Sequence, residues 1–183
     1  LPWDRTFVFQ TDERCVPPDD PSSNFRDLHD MLLSRVPVTM EHIFRIRGEL
    51  APDEAAEDYD GRMMRFFETR NGMKDGFPVF DLIVLGVGGD GHTASLFPGC
   101  PAPGGIRRAV VPARAPERYA PEMRVTLTLP VINNAAGVFF LVPGMEKRNI
   151  MLRLFEPGKP AADLPAARVD SPGGCTFFTD FDL

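Results

Sequence analysis

Asp90 and His92 stand two residues apart in the glycine-crowded stretch GVGGDGHTASLFPG, residues 86–99, directly after the apolar run Leu82-Ile83-Val84-Leu85. An imidazole titrates near neutral pH and works as a general acid or base, and a carboxylate two positions away can fix its tautomer. A lone histidine is more often structural or solvated. This one leaves an apolar strand through a flexible turn, which is where α/β proteins place their sites, so catalysis is the preferred reading. His29, inside an amphipathic segment, and His42, in a loop after Pro37, are accounted for by structural roles. Arg14 and Lys147 also follow strand-like runs and are candidates for gripping an anion, Arg through a planar fork and Lys as a mobile point charge. Asp12 and Glu13 are explained equally well by pairing with Arg14 or by capping backbone amides.

Several chemistries are disfavoured. Gly86-x-Gly88-x-x-Gly91 matches a dinucleotide fingerprint in form, but Pro98 and Gly99 cut short any helix after it. No acidic residue lies between Pro101 and Arg114 to meet a ribose. The glycines are better explained by a tight turn. No nucleophile elbow, zinc-protease helix or phosphate-cradling lysine loop is present. Cys15, Cys100 and Cys175 are an odd number without metal-ligand spacing, so no metal is expected and a reducing cytoplasm is the simplest home. The net charge of −6, with no basic tail or stripe, argues against nucleic acid, and no run is long and apolar enough to span a bilayer.

The elements that must position these residues alternate. With 183 residues, 43% apolar and 25% charged, the chain suits one globular α/β domain. Strands are expected over residues 5–10, 82–85, 106–111, 125–129, 138–142 and 175–178, those at 82–85 and 138–142 buried on both faces. A helix capped within Ser22-Ser23-Asn24 carries Phe25, Leu28, Met31 and Leu32 at helical spacing and ends near Pro37. A second starts at Pro52-Asp53-Glu54 and runs to Asn71-Gly72, a short turn follows Pro130, and a last helix covers 146–155. Residues 101–105 and 113–121 are Pro/Gly-rich loops. Alternation of this kind means a largely parallel sheet, whose strand ends would bring Asp12-Glu13-Arg14, Asp90 with His92, and Glu146-Lys147 to one edge.

The motifs DERCVPPDDPSSN (12–24), GVGGDGHTASLFPG (86–99), RVTLTLPVINNA (124–135) and GMEK (144–147) occur in an order that resembles the 6-phosphogluconolactonases. LLSRVPV, EAAEDYDGRM and the late LPAARV extend the resemblance over nearly the whole chain. The resemblance implies a three-layer α/β sandwich related to glucosamine-6-phosphate deaminase. It further implies hydrolysis of 6-phospho-D-glucono-1,5-lactone to 6-phosphogluconate, in the oxidative pentose phosphate pathway, without metal or organic cofactor. His92 would be the base and then the acid, oriented by Asp90. Arg14 and Lys147 would hold the 6-phosphate, with Asp12, Gly88 and Arg124 completing the substrate-binding set. The implied partner is a small sugar phosphate, with no nucleic acid and no membrane, and the protein is expected to be a cytoplasmic monomer.

Members of the family begin with a strand and a Gly/Ser-rich phosphate loop, so a single lactonase domain that is a piece of a longer chain is expected. Gly89 stands where the family often has proline, and Pro143 where it often has a hydroxyl residue. Two further readings compete: a sugar-phosphate isomerase or deaminase, whose motif carries an acid after the histidine where Ser95-Leu96-Phe97-Pro98 has none, and a non-catalytic or truncated sugar-phosphate-binding protein.

Overall fold

The computed structural model describes residues 1–100, 108–156 and 163–183. In chain order the elements are β1 (Val8–Phe9), β2 (Asp12–Arg14), α1 (Asn24–Met31), β3 (Ile43–Phe44), α2 (Pro52–Glu68), β4 (Met73–Lys74), β5 (Phe77–Pro78), β6 (Ile83–Leu85), β7 (Val110–Arg114), β8 (Met123–Leu127), α3 (Leu129–Asn134), β9 (Val138–Val142), α4 (Arg148–Leu154) and β10 (Cys175–Thr179). The strands form a parallel sheet β10-β9-β6, a parallel pair β1-β3, an antiparallel sheet β2-β8-β7 and a β4-β5 hairpin.

The helices start where their sequence signals place them. Ser23 caps α1, its hydroxyl accepting from the Arg26 amide at 3.3 Å. α1 ends at Met31 and a 3-10 turn, Leu33–Arg35, completes the segment before Pro37. Of the apolar positions that suggested this helix, none is buried and Met31 lies open to solvent. α2 opens with a proline in its first turn beside Asp53 and Glu54, where a fixed φ and negative charge suit the free amides and the dipole. It buries Ala55, Ala56, Tyr59, Met63 and Phe67 along one face and packs against β7 and β8. The Tyr59 hydroxyl donates to the Gln10 carbonyl at 2.8 Å, and Asp60 accepts from the Ala109 and Val110 amides at 2.9 Å each.

Three expectations need correction. The runs at 82–85 and 138–142 are not buried on both faces: Ile83, Leu85, Val138, Phe140 and Val142 point into the core, whereas Leu82, Val84, Phe139 and Leu141 are exposed. The parallel register pairs Val84 with Phe139 and Leu141 with Phe178, so the exposed residues share one face of the sheet. The strand expected over 5–10 contracts to Val8–Phe9, preceded by a 3-10 turn at Trp3–Arg5. Third, β2 belongs to the antiparallel sheet, with Asp12 opposite Thr126 and Arg14 opposite Arg124, so it does not share the carboxyl edge of β6 and β9. The loop expected at 101–105 and the first residues of the strand expected at 106–111 lie outside the described residues; the strand there is Val110–Arg114.

Candidate active site

The turn after β6 is built around an imidazole. The Gly88 amide donates to the His92 carbonyl and the Gly91 amide to the Gly88 carbonyl, each at 2.9 Å, closing the chain on itself. Gly91 sits at φ +85°, in the left-handed region that glycine enters without strain. The Thr93 hydroxyl ties back to the Gly86 carbonyl at 2.8 Å, and the Ala166 amide reaches the Gly91 carbonyl at 3.0 Å, so the late LPAARV motif props the turn from beneath. A Cβ at Gly88 would stand 2.0 Å from His92 Nδ1, which means that the ring occupies the space a side chain would need. Among the described residues 91–100 no helix follows this turn.

His92 Nδ1 lies 2.6 Å from Asp90 Oδ1, and the same oxygen accepts the His92 backbone N–H at 3.1 Å. With Nδ1–H donated to the carboxylate, the Nε2 lone pair is left to act on a ligand. The two side chains are about one-fifth exposed, 21% and 19%, open enough for a ligand and covered enough to hold their geometry. Partial burial pushes the Asp90 pKa up. The hydrogen bonds and charge of His92, together with Arg118, outweigh it and bring the carboxyl down to about 2. Phe97 and Tyr119 pack on the imidazole, with ring centroids at 4.7 and 5.0 Å.

Lys147 ends a 3-10 turn, Met145–Lys147, that follows β9. Because β9 and β6 are parallel neighbours, their carboxyl ends lie on the same edge of the sheet, which places the Lys147 turn beside the His92 turn. Lys147 makes no ion pair with any other described residue. Gly144 before it takes φ +101°, and its amide donates to Asp180 at 2.8 Å.

Asp12, in the separate antiparallel sheet, reaches the segment that follows His92. It accepts the Ser95 hydroxyl at 2.7 Å, and the Ser95 amide donates to Thr126 Oγ1 at 3.2 Å, so the segment after His92 is stitched to β2 and β8. Desolvation raises the Asp12 pKa, opposed by the Ser95 hydrogen bond and by the charges of Arg14 and Arg124. Arg14 donates from Nη1 to the Ser22 carbonyl at 3.0 Å and to Asn24 Oδ1, while its buried Nε has no partner among the described residues. Arg124 donates from Nε to the Pro121 carbonyl at 2.7 Å and from Nη2 to the Tyr119 carbonyl at 3.1 Å. Burial first, and then the charge of Arg14, lowers its pKa. Of the residues singled out from sequence, His92 thus contacts both Asp90 and Gly88. Asp12 is hydrogen-bonded to Ser95, three residues after His92, Lys147 follows the neighbouring strand of the parallel sheet, and Arg14 and Arg124 face each other across β2 and β8.

Glu13 belongs to the scaffold. Its buried carboxylate accepts from Gln10 Nε2 at 3.0 Å, from the Ser23 hydroxyl at 2.9 Å, and from the Arg14, Asn24 and Phe25 amides at 2.7 Å each. It therefore caps the start of α1 and holds the loop that carries Arg14, as one of the two sequence readings allows. Sequence reasoning missed Ser95, Arg118 and Tyr119. Arg118 Nη2 stands 2.5 Å from Asp90 Oδ2 across 28 residues of chain, in a Pro-rich loop with no periodicity, so nothing local marks it.

The sequence model of the family described as glucosamine-6-phosphate isomerases/6-phosphogluconolactonase matches residues 1–178. The chain belongs to this family. Its relatives include a 6-phosphogluconolactonase of Treponema pallidum, 36% identical over 96% of this chain and 70% of that protein. The human 6-phosphogluconolactonase is 40% identical over 92% of this chain and 64% of its own length. The crystal structure of a 6-phosphogluconolactonase from Thermotoga maritima superposes with a TM-score of 0.78 at 31% identity, covering 98% of this chain and 74% of that one. The α/β sandwich expected from the sequence is therefore the family fold. Of the two departures from the family pattern, Gly89 has open space around its Cα, so this turn does not demand glycine there.

Proposed function

We propose that the protein hydrolyses 6-phospho-D-glucono-1,5-lactone to 6-phosphogluconate, a step of the oxidative pentose phosphate pathway. The observation that carries the reading is the 2.6 Å clamp of His92 Nδ1 on an ionised Asp90 at the mouth of β6, beside the Lys147 turn. His92 Nε2 takes a proton from water as the water oxygen attacks the lactone carbonyl carbon. The tetrahedral adduct collapses with cleavage of the bond to the ring oxygen, which leaves with the proton returned by the imidazolium. Asp90 keeps the ring in the tautomer that presents Nε2 and stabilises the imidazolium in between. A lactone is an activated ester, so an oriented water, a proton shuttle and a fixed substrate suffice.

Arg14 and Lys147 hold the 6-phosphate in this reading, binding energy that orients the ring at His92. Gly88 gives the imidazole its room, Asp12 fixes the segment after His92 through Ser95, and Arg124 supports the loop over the site. Family membership supports a small sugar phosphate as the substrate, and in this reading the protein is a single-domain cytoplasmic monomer that works without a cofactor. Acid release from freshly generated lactone tests the reading. His92→Ala is expected to lose at least about 100-fold in kcat, the usual worth of a positioned acid–base group. Wild-type rate in that variant would sink the assignment.

A further inference from the structure

We propose that Arg118 and Tyr119, carried by the loop between β7 and β8, are positioning residues that clamp the Asp90–His92 pair, with Arg118 setting the pH range over which His92 works. Arg118 Nη2 binds Asp90 Oδ2 at 2.5 Å, the oxygen that His92 leaves free, so the carboxylate is held from both sides and Oδ1 is kept facing the ring. Tyr119 meets the imidazole edge-on at 5.0 Å and carries the Arg118 guanidinium over its own ring at 4.9 Å. Arginine, phenol, carboxylate and imidazole thereby form a closed ring of four contacts.

The loop that delivers them is itself anchored. The Tyr119 amide donates to the Pro116 carbonyl at 2.8 Å, and the Ala115 amide to the Glu122 carbonyl at 2.8 Å. Arg124, only 6% exposed, spends Nε and Nη2 on the Pro121 and Tyr119 carbonyls. A buried guanidinium is a costly way to hold a surface loop unless the position of that loop matters. Arg118 itself is 60% exposed at the side chain, so it contributes little to folding, and its charge is free to act on the pair.

The electrostatic consequence has a sign. Asp90 favours the imidazolium; Arg118, cationic and on the far oxygen, offsets part of that negative charge and favours the neutral ring that serves as base. Among the described residues, Asp90 in its own turn, Tyr119 from the β7–β8 loop and uncharged Phe97 contact the His92 ring; Arg118 reaches it through Asp90, and Lys147 lies on the turn after the neighbouring β9. Of these, only Arg118 is ion-paired to the carboxylate that orients the base.

The test rests on the lactonase reading and on a second readout that does not. Arg118→Met is expected to move the acidic limb of the kcat/KM profile to higher pH at low salt, because it removes a cation from the carboxylate that orients the base. KM for the lactone should stay unchanged. Arg118→Lys should restore the limb, and the difference between Met variant and wild type should shrink in 1 M salt. Titrating the His92 ring by NMR in both proteins should show the same upward displacement of its midpoint without any turnover. If the wild type lacks lactonase activity but the NMR midpoint moves, the function fails and the clamp stands. Superimposable titrations in wild type and Arg118→Met, or an unmoved limb with a raised KM, overturn the clamp, the latter making Arg118 a substrate contact.

Discussion

Gly88 carries no side chain because His92 needs the space, and this makes one glycine a sharp probe of the site. Gly88→Ala sets a methyl 2.0 Å from Nδ1, so the ring must leave its present place against Asp90. Misplacing a reacting group by about 1 Å costs on the order of 100-fold. The variant is therefore expected to lose about 100-fold in kcat while its circular dichroism stays near wild type, since the strain falls on one half-buried ring and not on the core. Retained activity would mean that the ring has another working position. Asp90 gives a complementary pH signature. Its carboxyl is held at about 2 in the folded protein, below the ordinary value of about 3.9, so it contributes stability that is fully present above the ordinary value. That stability is lost as pH falls through the window toward 2. Asp90→Asn should thus flatten the stability profile between about pH 4 and pH 2, seen as a smaller fall of Tm across that window than in wild type. The same variant should lose about 10- to 100-fold in kcat at neutral pH, because the amide no longer fixes the tautomer.

At the scale of elements, the organising object is the Glu13 carboxylate, which joins β2, the loop of residues 14–22 and the start of α1. Five donors converge on its two oxygens, and a glutamine there offers one acceptor and turns an NH2 toward donors. Glu13→Gln is expected to destabilise the fold by about 3 kcal/mol, the cost of leaving buried donors unpaired, read from chemical denaturation. It should also raise KM for the lactone, because Arg14 loses its mooring. An unchanged denaturation midpoint would deny the carboxylate this role. Much of the element layer was legible beforehand: Ser23 as a cap, Pro52 with Asp53 and Glu54 as a helix start, and the glycine-rich exit of β6 are local signals that tertiary structure respected. The Glu13 hub and the Arg118 clamp were not legible as such, since three of the five Glu13 donors lie 10 to 12 residues away, Asp90 lies 28 from Arg118, and no periodicity links them. For the same reason, the antiparallel placement of β2 could not be read from a charged strand end.

For the whole molecule, the largest divergence from the sequence reading is the open face of the β10-β9-β6 sheet. A continuous apolar run predicts burial on both faces, because all-parallel sheets are normally covered twice, yet composition cannot say which packing partner does the covering. Here Val84, Phe139, Leu141 and Phe178 stand 46%, 37%, 50% and 48% exposed on that one face, with Phe139 and Phe178 in edge-to-face contact at 5.2 Å. An apolar face of this kind attracts any apolar partner in solution. The 183-residue chain is therefore expected to bind a fluorescent apolar-surface dye, and Leu141→Lys, which sets a charge in the middle of the face, should remove most of that signal. The substitution touches no core contact, so Tm should shift by no more than an exposed substitution usually causes, about 0.5 kcal/mol in stability. Residues at the carboxyl edge are untouched, so lactone hydrolysis by the variant should match wild type. Undiminished dye binding by Leu141→Lys would place the accessible apolar surface elsewhere on the molecule and leave this face without the reach its exposure implies.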